Sequence, residues 1–313
     1  MKCFVSGATG FIGRQLCHQL ELQGDTVVAL SKSGAPLNSG APTVGFDLAH
    51  KDPDANMLQG VEVVFHLAGV AHQRAPDSAY PALNRDATLR LARMASSAGA
   101  RCFIFLSSVK AMGPATEPVV RAENDCVMPA DAYGLSKWQA ERALREEFRN
   151  DPMSIVIVRP ALVYGACVKG SLRQLAQGVR MGLPRPPAGG CRSMISLEDL
   201  SDLLCVIARA PLSGIRTWIA CGADSYSTQN IYDLLRDASG KDKGLAWLPA
   251  WGWQLGTWLL DFTAPQSAES FHDKIFGTEL YSSAALLAAT TWRPKVRLED
   301  VIGQLISARR PRR

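Results

Sequence analysis

Tyr133 and Lys137 stand four positions apart in Tyr-Gly-Leu-Ser-Lys, within a stretch, residues 132–150, whose apolar residues have helical spacing. On a helix that separation puts both side chains on one face. A phenol titrates near pH ~10 and is a poor acid or base at neutrality. A nearby ammonium favours the phenolate and lowers that pKa, so that Tyr133 could give or take a proton at a carbonyl or alcohol oxygen. Ser107 and Ser108 end the apolar run FIFLSS upstream, and a serine at a strand end can hydrogen-bond the same oxygen. Tyr-x-x-x-Lys pairs are common on exposed helices, so the pattern gains meaning only from its surroundings.

Those surroundings are those of a dinucleotide site. Gly7-Ala8-Thr9-Gly10-Phe11-Ile12-Gly13 follows a first β-rich run and opens a first helical pattern. Glycines there allow a tight turn and let a pyrophosphate approach the backbone, while the helix N-terminus offers amide groups and a positive dipole end. The strand before and the helix after are the context that this glycine pattern requires. Asp47-Leu48 follows a short third run, TVGF; Asp47 could accept from an adenine amino group or cap a helix. His66-Leu67-Ala68-Gly69 ends another strand, and small residues there let a cofactor cross the strand ends. His66 itself reads as a packed, hydrogen-bonded side chain in preference to a catalytic one.

The elements that must position these groups alternate along the first half. Residues 2–6, 26–30, 61–68, 101–108 and 154–160 read as strands, with helical patterns over 11–23, 79–99 and 132–150 between them. Such alternation implies βαβ units and a Rossmann-type, doubly wound parallel sheet covered on both faces. After about residue 165 the texture changes to a Pro/Gly loop at 182–190, a probable return strand in GIRTWIACG and a helical remainder. The expected organisation is a dinucleotide-binding domain over 1–165, with return segments from about 195–221, and a smaller, mainly helical, discontinuous substrate lobe over 166–313.

Bulk properties exclude several function classes. The chain has 313 residues, 47% hydrophobic and 20% charged, an ordinary globular composition. Of the net charge of +5, the four arginines of RRPRR at 309–313 supply +4, and a nearly neutral body argues against a nucleic-acid-binding face. That arginine run reads as a solvated end, with contact to anionic lipid or another protein as the alternative. No basic segment followed by an apolar run and a cleavage site opens the sequence, and no uncharged apolar run reaches the roughly 18 residues of a membrane span. The eight cysteines form no Cys-x-x-Cys pair and no histidine cluster joins them. They are expected to be reduced thiols in a cytoplasmic protein with no metal site.

The motifs together resemble the extended branch of the short-chain dehydrogenase/reductase superfamily, over nearly the whole chain. They are GATGFIG, Asp47-Leu48, HLAG, Asn84-Arg85-Asp86-Ala87-Thr88, SSVKAMG at 107–113, YGLSK, RPALVYG at 159–165 and the late WRP at 292–294. The resemblance implies that Tyr133 is the catalytic acid/base. Lys137 is then its modulator and a ribose ligand, and Ser108 the catalytic hydroxyl, with Ser107 as runner-up. It adds Asn84, Pro160 and Val163 to the cofactor contacts, Ala87 replacing the family's glycine after that asparagine. More narrowly, LSSVKAMG with RPALVYGACVKGSL is similar to nucleotide-sugar 4-epimerases and 4-keto-reductases of surface-polysaccharide synthesis. By that likeness Gly170 and Ser171 line the nucleotide-sugar cleft. Arg192, in CRSMISLEDL, meets the diphosphate, which a guanidinium can bind bidentately; Ser196 replaces the family's histidine. Relatives commonly pair through the helices around 79–98 and 132–149, so a homodimer is expected.

The end of the second strand decides the cofactor expectation. A carboxylate there accepts the ribose 2′-hydroxyl of NAD(H) and would repel a 2′-phosphate. This chain has Ser31-Lys32-Ser33 instead. Lys32 could pair with a 2′-phosphate and the two serines could donate to it, so NADP(H) is favoured over NAD(H); a solvated turn is the alternative. A 4-epimerase keeps its NAD, whereas a reductase consumes NADPH. The favoured function is therefore reduction of a UDP-4-keto-6-deoxy-N-acetylhexosamine at C4. A UDP-hexose 4-epimerase is the alternative and a non-catalytic dinucleotide sensor a remote one. Trp247, Trp251 and Trp258 would share a helix face if Pro249 does not interrupt it. They are read first as packing between lobes, otherwise as a lid or a membrane-surface contact.

Overall fold

The computed structural model describes residues 1–51, 53–70, 80–115, 117–168, 170–242, 244, 248–263 and 270–307. β1 (Lys2–Ser6) leads through the glycine turn into α1 (Phe11–Leu22), followed by β2 (Thr26–Ser31), β3 (Val44–Gly45) and β4 (Val63–His66). A π-helical turn at Pro81–Asp86 continues as α2 (Ala87–Ser97), then β5 (Cys102–Leu106), β6 (Val120–Arg121), α3 (Ala132–Glu147), β7 (Ser154–Pro160) and β8 (Leu162–Tyr164). The second half comprises α4 (Ser171–Arg180), β9 (Arg192–Ser196), α5 (Leu197–Arg209), β10 (Ile215–Ala220), β11 (Ser225–Tyr226) and α6 (Thr228–Ala238). It closes with α7 (Ala250–Thr263), α8 (Phe271–Phe276), β12 (Leu280–Tyr281), α9 (Ala284–Ala289) and α10 (Leu298–Ser307).

Seven strands form a parallel sheet in the order β10-β7-β5-β4-β1-β2-β3. This is the doubly wound α/β sheet expected from the alternation of elements. Side-chain alternation along each strand feeds both faces. Val5, Phe65, Ile104 and Val156 pack under α1 and α5, whereas Phe4, Val64, Phe103 and Ile155 pack under α2 and α3. Fully burying such a side chain is worth roughly 1.5–3 kcal/mol, so the central strands are apolar on both sides. The return segment, β10, pairs parallel with β7 at the sheet edge.

A second sheet, β11-β9-β8, and the pair β12-β6 lie outside the main one. Helices α4, α6 and α10 gather around Tyr164, Met194, Tyr226 and Tyr232 in a separate apolar cluster. The late Trp-Arg-Pro is anchored on α5 instead, with Trp292 packed in the core under α1 and α5. Trp292 Nε1 donates to the Asp199 carbonyl at 3.0 Å, and the Asp199 carboxylate accepts from the amides of Lys295 and Val296, each at 3.0 Å.

Several local expectations change. The strand over 61–68 is only Val63–His66, because Leu67–Gly69 peel away from the sheet; the third strand shrinks to the exposed Val44–Gly45. Pro249 does interrupt the tryptophan pattern: α7 begins at Ala250, and Trp247 lies outside the described residues. Trp253 is buried, but Trp251 and Trp258 are 68% and 62% exposed and so do not pack between lobes.

Candidate active site

The expected groups converge where neighbouring parallel strands end. The glycine turn follows β1, Leu67–Gly69 follows β4, Ser107-Ser108 follows β5, and the buried Pro160 ends β7. The strand order reverses about β1, and open α/β sheets bind ligands at the carboxyl ends of strands beside such a switch point. Gly7 has φ +73°, and a Cβ on it would come within 2.8 Å of the Ala68 amide nitrogen; a Cβ on Gly13 would come within 2.2 Å of the Gly7 carbonyl. Gly10 caps α1 with no side-chain cap. The turn therefore brings bare backbone and a helix N-terminus together beside Thr9, Phe11 and Ile12. That cradle fits a dinucleotide pyrophosphate.

On the far side, Gly69 lies against the catalytic candidates: a Cβ there would stand 2.9 Å from Asn84 Oδ1 and 3.3 Å from Lys137 Nζ. Asn84 is fully buried and takes the Val70 amide at 2.9 Å while donating to the Val70 carbonyl at 3.1 Å and to Ser136 Oγ at 2.9 Å. It thus ties the chain after β4 to α3. His66 is also a fixture of the fold. Its ring bridges Ser6 Oγ at 2.7 Å and Thr88 Oγ1 at 2.9 Å, and burial, with the Lys137 charge, pushes its pKa down to about 3.

Asp131 caps α3 by accepting from the Gly134 amide at 2.8 Å, which sets the first turn and with it Tyr133. The Ser108 side chain accepts from the Lys110 amide at 3.2 Å, which leaves its proton free for the neighbouring Tyr133 phenol. Burial pushes that phenol up to about 12, against the downward pull of Ser108. This corrects the expectation of a lysine-lowered tyrosine. Lys137 shares the helix face, but its ammonium donates to the Leu106 carbonyl at 2.9 Å and sits 4.6 Å from the centre of the Phe105 ring. Burial pulls Lys137 down to about 8, with Glu141 acting in the opposite direction.

The two serines separate clearly. Ser107 is buried and donates its only hydroxyl proton to Glu141 Oε1 at 2.6 Å, so it has none left to donate to a ligand. Glu141, fully buried, is also held by Arg159, whose Nη2 donates at 2.6 Å. Sequence reasoning missed this Glu141–Arg159 pair. The signal was present: Glu141 lies one helical turn after Lys137, and Arg159 opens the RPALVYG motif.

At the sheet edge the Ser31-Lys32-Ser33 turn is also divided. Ser31 is 3% exposed and accepts from the Gly34 amide at 3.0 Å. Thr43 gives its own proton to the Ala35 carbonyl at 2.8 Å, so the 2.8 Å contact between Ser31 and Thr43 uses the Ser31 proton. Ser31 holds the edge and has no proton for a phosphate. Ser33 accepts from the Ala35 amide at 3.4 Å. Lys32, 78% exposed, pairs with Asp47 at 2.9 Å, and this contact is the main reason the Asp47 carboxyl lies below its ordinary range. Asp47 also accepts from the Ala49 amide at 3.1 Å, as a turn cap. The neighbouring Leu48 is buried, and its carbonyl accepts from Arg90.

Val163, expected at the cofactor, lies in β8, while Gly170, expected at the substrate, opens α4 at φ +77° with Ser171 as its first residue. Arg192 begins β9, donates to the Asp273 carbonyl of α8 and stands 3.8 Å from Glu279. Lys110 reaches the same Glu279 at 2.7 Å. Glu279 thus occupies two cations that an anionic ligand would need. Ser196 caps α5 by accepting from the Asp199 amide at 2.8 Å, which accounts for a small hydroxyl at that buried position.

Known proteins resemble this chain along most of its length. A UDP-glucose 4-epimerase of Vibrio cholerae is 27% identical over 316 residues, covering 97% of this chain and 94% of the relative. A dTDP-6-deoxy-L-talose 4-dehydrogenase (NAD(P)(+)) of Kitasatospora kifunensis is 28% identical over 262 residues, 79% of this chain and 81% of the relative. The fold is shared with the structure of a Bacillus cereus UDP-glucuronic acid 4-epimerase in complex with UDP-glucuronic acid and NAD, at TM-score 0.78 and 21% identity over 98% of both chains. Residues 3–213 match the model of one family. With its glycine cradle and its serine, tyrosine and lysine at the ends of a doubly wound sheet, the chain belongs to the NAD dependent epimerase/dehydratase family.

Proposed function

We propose that this protein reduces the C4 ketone of a UDP-4-keto-6-deoxy-N-acetylhexosamine, preferring NADP(H), in the synthesis of a surface polysaccharide. The observation that carries the reading is the end of β2, where the usual carboxylate is replaced by Ser31-Lys32-Ser33 and the Lys32 side chain is 78% exposed. Lys32 can turn from Asp47 to a 2′-phosphate, with Ser33 beside it. A phenol held near 12 supports the same direction, since reduction needs a proton donor and hydride removal from an alcohol needs a base.

The dinucleotide, when bound, supplies the hydride. Tyr133 gives its phenolic proton to the C4 oxygen, Ser108 orients that oxygen, and Lys137 holds positive charge behind the pair. Gly170, Ser171 and Arg192 bind the nucleotide diphosphate, Arg192 exchanging Glu279 for phosphate. The same proposal assigns 1–165, with return segments from about 195–221, to the cofactor and the remainder to the sugar nucleotide. It also pairs two copies through α2 and α3.

A second reading, a UDP-hexose 4-epimerase with retained NAD, is favoured by the Vibrio cholerae relative, which matches nearly the full chain. Titration of the purified protein with NADPH and NADH, followed by turnover of the UDP-4-keto sugar, separates the two. Preference for NADPH with one equivalent oxidised per product supports reduction. Tightly held NAD, with hexose interconversion and no net oxidation, replaces it with epimerisation.

A further inference from the structure

Helix α7 carries apolar residues on two opposite faces, with the exposed Gln254 beside the outer one. No ionisable residue occurs from Ala250 to Leu260, and its inward face, Trp253 and Thr257, is 7% and 2% exposed. The opposite face carries Trp251, Leu255, Trp258 and Leu259, exposed at 68%, 50%, 62% and 49%. At 100° per residue these four fall within an arc of about 100°. Contiguous exposed apolar patches of this kind mark interaction surfaces. We propose that the outer face of α7 seats in the headgroup region of an anionic lipid surface, holding the protein there as a peripheral, monotopic enzyme.

Three observations select lipid over other occupants. The two indoles at their observed exposure present roughly 300 Å². With the two leucines the patch is on the order of 500 Å², below the ~800 Å² per partner of a stable protein interface but sufficient for shallow insertion. Tryptophan with leucine is the composition of an interfacial anchor, the amphipathic ring resting at the headgroup level. The sequence supplies basic residues as well: Lys241 and Lys243 precede the helix, and Arg309, Arg310, Arg312 and Arg313 follow α10 along the chain. Stable peripheral anchoring takes two signals, a hydrophobic one and a polybasic one.

The location gives the contact a use. Helix α7 packs on α8, and α8 supplies the Asp273 carbonyl that holds Arg192. A lipid surface beneath α7 would therefore lie one helix away from the substrate side of the cleft.

The test uses the full chain and vesicles of two parts phosphatidylethanolamine to one part phosphatidylglycerol, with phosphatidylcholine vesicles as the comparison. The protein is expected to float with the anionic vesicles, less so as salt rises, and brominated lipid is expected to quench its tryptophan fluorescence. Trp251→Glu with Trp258→Glu should lower binding at least about tenfold, as should removal of Arg309–Arg313, with far-UV circular dichroism unchanged. Because quenching is read on the unaltered chain, a misfolded variant does not remove the test. Absence of flotation and quenching would overturn the proposal, as would equal binding by a folded double variant. A dimer that the double variant converts to monomer in light scattering would also overturn it, in favour of a second copy of the chain.

Discussion

Replacing Lys137 with methionine should abolish turnover and yet leave the fold at least as stable. Burial brings the lysine from 10.5 to about 8. At ~1.36 kcal/mol per pKa unit, keeping it charged costs the folded state roughly 3 kcal/mol. The side chain is only 4% exposed, so solvent screening removes little of this. Against it stands the hydrogen bond from the charged amine to the Leu106 carbonyl, whose loss costs about 1.5–3 kcal/mol. Lys137→Met is thus expected to be as stable as the wild type or up to about 1.5 kcal/mol more stable at pH 7. The sign is checked by pH. Between about 8 and 10.5 the unfolded chain binds a proton that the folded chain does not, so wild-type stability rises through that window. Urea unfolding of the two proteins at pH 7 and pH 9.5 should show the variant losing about 2 kcal/mol relative to the wild type. A variant less stable at pH 7, by an amount that does not change with pH, would refute the argument that Lys137 carries a desolvation cost.

Other expectations follow from the same contacts. Ser108→Ala should lower kcat by about 10²-fold with little change in stability. Ser107→Ala should keep most activity but cost about 1.5–3 kcal/mol in urea unfolding, because it takes a donor from the buried Glu141. Glu141→Ala, which leaves Arg159 unpaired in the interior, should cost about 3–5 kcal/mol by the same measurement. In steady-state assays, carbonyl reduction should be flat through neutrality, where a phenol near 12 stays protonated, and fall as pH passes about 8 and Lys137 loses its charge. Lys32→Ala should weaken NADPH binding about tenfold in a fluorescence titration and leave NADH binding unchanged.

Local pattern was enough to read the doubly wound α/β part of the fold. Strand and helix periods, the glycine turn, and Tyr133 and Lys137 on one helix face are short-range features, legible because each is written within a few consecutive residues. The doubly wound sheet follows from their alternation. What depended on tertiary contact was the state of each group. Ser107 and Ser108 are neighbours of one type, and only the approach of Glu141 from α3 shows which hydroxyl is already spent. Ser31 looked available until Thr43, twelve residues on, took its proton. The tyrosine's elevated pKa arises from a pocket assembled by distant segments, and Lys137 turns its charge toward the Leu106 carbonyl at the end of β5. The outward face of α7 was hidden too, since an apolar helix reads alike whether its second side meets core, partner or lipid. Sequence determined which groups stand at the strand ends, because backbone geometry is periodic and local. Tertiary structure decided their protonation and hydrogen-bond commitments, because burial and partner choice depend on residues that meet only after the chain has folded.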